Sequence, residues 1–106
     1  MPNFVFAFHG GHTPEGEEEQ AKMMAEWGAW YGELGPNIVD PGNPVGMSKT
    51  VSKDGVADNG GANPLSGYSV ISADSIDAAT EMAKGCPMIK HGNGSVEVAE
   101  VHHIEM

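Results

Sequence analysis

Phe4, Phe6 and Phe8 alternate with Val5, Ala7 and His9, and the run ends at Gly10-Gly11. Period two puts three aromatic rings on one face, and a face that apolar has to be covered. The stretch therefore reads as a strand buried on at least one side. Its other face carries only Val5, Ala7 and, at the end, His9. Thr13-Pro14 follows, with Thr as a helix N-cap and Pro suited to the first helical position. Glu15, Glu17, Glu18 and Glu19 come next, where the helix dipole favours negative charge. Met23, Trp27, Trp30 and Leu34 then form one helix stripe, and Leu34-Gly35-Pro36 ends it. With the phenylalanines packed under the helix, His9 points to the open face of the sheet.

Further along, Ile38-Val39-Asp40 begins a second strand, and residues 48–52 continue it or pair with it. Residues 53–66 are turn formers throughout and read as one long loop. A third strand spans 67–72. Asp74 or Ser75 caps a second helix with Ile76, Ala79 and Met82 on its inner face, and Gly85 and Pro87 stop it. Residues 95–104 alternate again as a fourth strand. The order β-α-β-β-α-β predicts a ferredoxin-like α+β fold. Its four-stranded antiparallel sheet has the spatial order 4-1-3-2, in a single domain spanning 1–106. Two helices on one face leave the other to water. Val5, Ala7 and Ala99 or Val101 make that face partly apolar, so a second copy of the chain is expected to cover it.

Charge narrows the partners. The net charge is −10, with 15 acids against 5 basic residues, all of them lysine. Nucleic acid and anionic membrane surfaces both need clustered Lys and Arg, so neither is expected. Without an Arg fork, a phosphorylated substrate is also disfavoured. No apolar run is long enough to span a membrane, and residues 1–11 lack the pattern of a signal peptide. The lone Cys86 has no internal disulfide partner, which makes a reducing cytoplasm the default.

The predicted topology gathers His9, His12 and His91 at one end of the sheet, with Asp54, Asp58, Asn59 and Asn63 of the long loop. Asp74, His102 and His103 fall at the other end. A histidine beside a carboxylate is a usable general base near neutral pH. His9-Gly10-Gly11-His12 with His91 could also chelate a metal, although nothing in the spacing forces convergence, and the glycines have the plain task of turning the chain. Glu97 alternates with Val96 and Val98, and reads equally as a cavity residue or a solvated one. No cofactor or resident metal is called for.

Gly67-Tyr68, Asp74-Ser75, Ala83-Lys84-Gly85-Cys86-Pro87 and Gly94-Ser95-Val96-Glu97-Val98 together resemble the signature of the YCII-related proteins, which include the DGPF-domain proteins. The resemblance is strongest over 64–101. The DGPF tetrapeptide is absent, and residues 15–34 lack the histidine that members with a His–Asp pair carry on the first helix. The resemblance implies a ferredoxin-like subunit paired into a dimeric α/β-barrel, with Asp40 as the aspartate of such a pair. Two readings follow. One is a lyase- or isomerase-type enzyme moving a proton on a small metabolite, with His9 and Asp40 catalytic and His12, Asn63, Tyr68 and His91 shaping the pocket. The other is a non-catalytic dimer that binds a small ligand.

Overall fold

The computed structural model describes residues 1–11, 15–58 and 64–104. Strand β1 (Asn3–Gly10) buries Phe4, Phe6 and Phe8 on one face. Helix α1 (Gly16–Leu34) lays its tryptophan stripe on that face, with Trp30 stacked on Phe6 at 6.0 Å between centroids. The Trp30 indole N–H donates to the Met82 carbonyl at 3.0 Å, tying α1 to helix α2 (Ile76–Ala83). Thr13 and Pro14, the expected helix start, lie outside the described residues.

After a short 3-10 turn (Gly35–Asn37), β2 (Ile38–Asp40) runs antiparallel to β5 (Leu65–Ser72). Asn37 fixes the start of that pairing, donating from Nδ2 to the Ser72 carbonyl at 2.8 Å. The sheet is antiparallel with the order β2-β5-β1-β6, and β6 (Gly94–Glu100) lies beside β1. Ile71, Ala73, Ala79, Ala83, Cys86 and Met88 complete the buried cluster around the phenylalanines. The molecule is thus a small mixed α/β domain with a four-stranded antiparallel sheet and a few helices. Among the described residues no helix is long and apolar enough to cross a membrane.

Several expectations need correction. Residues 48–52 neither continue β2 nor join its sheet. Strand β3 (Lys49–Ser52) pairs with β4 (Gly55–Asp58) in a separate hairpin, inside the span read as loop. Two residues, Lys53 and Asp54, make its turn, a length that favours hairpins. The final strand stops at Glu100 rather than 104. A third helix, α3 (Pro87–His91), follows α2, with Pro87 in its first turn; the same proline that stops α2 starts it. Ser75, not Asp74, caps α2 by accepting from Ala78 N–H at 3.1 Å. Ile76 is half exposed rather than on the inner face.

Candidate functional site

Beyond Asp40 the chain does not leave the sheet. Pro41-Gly42-Asn43-Pro44 continues along β5 as a strap. Tyr68 N–H donates to the Asn43 carbonyl at 3.3 Å and Val45 N–H to the Ser66 carbonyl at 3.0 Å. A buried knot holds its near end. The Ser69 hydroxyl, fully buried, donates to the Pro41 carbonyl at 2.7 Å, and the Tyr31 phenol meets Ser69 Oγ at 3.0 Å. Burial raises the Tyr31 pKa, despite the opposing hydrogen bond from Ser69, so the phenol stays protonated as a structural donor.

Between this strap, α1 and α3 lies a cleft of about 750 Å³. Its roof is Met23, Met24, Trp27 and Tyr31 of α1. Phe8 and Gly67 form the floor, the strap and Tyr68 one wall, and Pro87, Met88 and His91 the other. At the strand end, Gly10 and Gly11 adopt positive φ (82° and 104°), and Gly11 N–H donates to the Asn93 carbonyl at 2.7 Å. That conformation is open to glycine and costly for other residues, so the sharp exit from β1 opens the cleft. The size and apolar character suit a small molecule.

The polar groups cluster toward α1 and α3. His91 Nε2 and Glu26 Oε2 are 2.5 Å apart, joining the two helices. Glu26 has its pKa lowered, above all by the hydrogen bond from His91; desolvation opposes this, and the weaker attractions of His91, Lys22 and Lys90 add to the lowering. Glu19 and Lys22 also line the cleft.

The expected site residues divide. His91 and Tyr68 line the cleft; His12 and Asn63 lie outside the described residues. His9 is on the other side of the sheet, its side chain 13% exposed, with Nε2 3.1 Å from Glu97 Oε1. Asp40 does not reach it. Asp40 pairs with Val70 and His9 with Leu65 on β5, and five residues of strand are about 17 Å. The Asp40 carboxylate instead accepts from Gly42 N–H at 2.9 Å and shapes the strap. His9 and His91 face opposite sides of the sheet, so they do not share a metal site. Among the described residues no group of three or more His, Cys, Asp or Glu could hold an ion. Asp58 is paired with Lys49 at 2.9 Å on the exposed hairpin.

Sequence reasoning missed Glu26, Trp27, Tyr31 and the strap as site residues. The only signal for the tryptophan is its place on the apolar stripe from Met23 to Leu34, which reads equally as core. None existed for the strap, whose position depends on pairing with residues more than twenty positions away. No family model, no curated protein and no solved structure matches the chain.

Proposed function

We propose that this chain is a YCII-related, ferredoxin-like domain that binds a small, mainly apolar molecule in the cleft between α1, α3 and the strap. The observation that carries the reading is the 750 Å³ cleft itself, roofed by Trp27 and methionines and held open by glycines. The residues behind the family resemblance support it by position. Gly67, Tyr68 and Pro87 line the cleft, and Gly94 packs beneath it, where an added Cβ would stand 2.3 Å from Met88 Cε. The sheet order and the placing of α1 and α2 on one face support the ferredoxin-like reading. The tests use a neutral apolar dye, Nile red. Its fluorescence should rise on saturable one-to-one binding. Met24→Glu, at a residue 68% exposed and so of little cost to the fold, should weaken uptake roughly tenfold by putting a charge at the mouth. A dye signal that never saturates, or that ignores Met24→Glu, removes the reading.

A specific observation favours a second reading. His9, its side chain 13% exposed, and Glu97, 72% exposed, form an acid–base pair on the open face, with Glu97 in the cross-strand row of Ala7 and Tyr68. Paired through Val5, Ala7 and Val70, two copies would enclose that pair in a barrel cavity, where His9 could move a proton on a small metabolite while Glu97 orients it. This reading requires a dimer. Sedimentation should give twice the 11.1 kDa chain mass, and His9→Ala should leave that mass unchanged while abolishing any turnover found. A strictly monomeric mass at micromolar concentration ends this alternative and leaves the cleft intact.

A further inference from the structure

We infer that the β3–β4 hairpin is an arm that lies on the open sheet face of a second copy of this chain, which returns its own arm in the same way, whatever the cleft binds. All eight strand residues of the hairpin are exposed. A two-stranded hairpin alone in water is marginally stable at best; it needs further strands or an apolar surface to lie on. Val51 stands opposite Val56, on the face that also carries Lys49 and Asp58. The two valines are 76% and 63% exposed, and Met47, just before the arm, is 96% exposed. The arm thus presents an apolar strip that nothing among the described residues covers.

The same chain holds a surface that matches it. All three helices pack on the phenylalanine side of the sheet. On the other side, Val5 lies between Val70 and Ala99 in one cross-strand row, and Ala7 between Tyr68 and Glu97 in the next. Val5, Ala7 and Val70 are partly exposed and Ala99 is exposed. Sheets pack on sheets by interdigitating the side chains of their inner faces, so a two-stranded arm fits a flat face of this kind.

Charge selects a second copy as the occupant. At −10 each, two chains repel unless they meet on their least acidic surfaces. Helix α1 carries five acids and α2 two, on the far side of the sheet. The arm is balanced: Lys49 pairs with Asp58 at 2.9 Å, and Lys53 and Asp54 share the turn. On the open face, β1, β5 and β6 present one acid, Glu97, which His9 meets at 3.1 Å. Arm on face therefore joins the two weakly charged surfaces of the chain, and a two-fold exchange makes the contact twice. The hairpin, rather than the partner's sheet, then covers Val5, Ala7 and Val70.

Sedimentation of the wild-type protein at micromolar concentration should give twice the 11.1 kDa chain mass. Val51→Glu with Val56→Glu changes only exposed positions. It should weaken association by about tenfold or more, by burying two carboxylates in the contact, and leave the circular dichroism spectrum unchanged. Cross-linking then locates the arm. Val51→Cys and Ala99→Cys proteins, one of them isotope-labelled, are mixed and treated with a short bis-maleimide; the native Cys86 is fully buried. Mixed pairs should dominate the products. A monomeric wild type, or a double variant that dimerises as well as wild type, overturns the arm. So do links confined to pairs of Ala99→Cys chains, which mean face on face, or to pairs of Val51→Cys chains, which mean arm on arm. None of these results bears on the cleft.

Discussion

Gly42→Ala destabilises the domain by about 3 kcal/mol and abolishes ligand uptake with it. The backbone at Gly42 has φ +71°, and a Cβ there would stand 1.7 Å from the Tyr68 carbonyl oxygen and 2.6 Å from its carbon. No side chain can relieve that overlap, because the obstacle is the backbone of a central-sheet strand. The left-handed conformation alone costs about 1–2 kcal/mol for a residue with a Cβ. Moving the strap away instead breaks the Tyr68–Asn43 and Val45–Ser66 hydrogen bonds, each worth roughly 1 kcal/mol. Either route removes one wall of the cleft. Gly46→Ala is the control: nothing lies within 4 Å of its added Cβ and its φ is not positive, so its effect should fall within about 0.5 kcal/mol. Urea unfolding of the two variants measures the difference. A Gly42→Ala protein as stable as Gly46→Ala shows that the strap does not lie against β5.

The elements written in a single local period were legible in the sequence. Phe4, Phe6 and Phe8 announced a one-sided strand, and Trp27, Trp30 and Leu34 the helix that covers it. The sequence offers Asp74 and Ser75 as caps for α2, and it is Ser75 that accepts from Ala78 N–H. The hairpin escaped because Gly55-Val56-Ala57-Asp58 has one β-branched residue and weak strand propensity; only its pairing with β3 makes it a strand. Helix α3 escaped because five residues carry too little periodicity to be read.

The site depended on register more than on composition. His9 meets Glu97 across 88 residues because β6 pairs with β1 with Ala7 opposite Glu97. A slip of one residue would turn Glu97 to the helix face. Asp40 fails as its partner because a register shift lies between Ile38 and Asp40, and because the whole of β5 stands between. The cleft was the least legible feature: its walls come from a strap, a one-turn helix and a helix roof that share no sequence neighbourhood.

Trp30→Ala should cost about 3–5 kcal/mol, the range for deleting a buried aromatic side chain. Trp30 is only 3% exposed and ties its own helix to two other elements, β1 and α2. It stacks on Phe6 of β1, meets the edge of Trp27 at 5.6 Å, and donates to the Met82 carbonyl at the end of α2. A Cβ on Gly85 would sit 3.2 Å from the indole, so the turn after α2 is fitted to it. Trp30→Phe separates the two contributions. It keeps a ring in the core and loses the N–H, which should cost about 1 kcal/mol, because the Met82 carbonyl still accepts from Gly85 N–H at 3.2 Å. Set against a domain stability of about 5–15 kcal/mol, the alanine variant leaves little folded protein at physiological temperature, while the phenylalanine variant remains folded. Chemical denaturation distinguishes them, and an alanine variant losing under about 1 kcal/mol shows that α1 is not seated on the sheet as described. Trp27, three residues earlier on the same helix, packs on the edge of the core but is only partly buried and lines the cleft. Its removal should therefore act mainly on binding, while removal of Trp30 acts on the fold. One turn of α1 thus separates a residue that holds the domain together from a residue that lines the cleft.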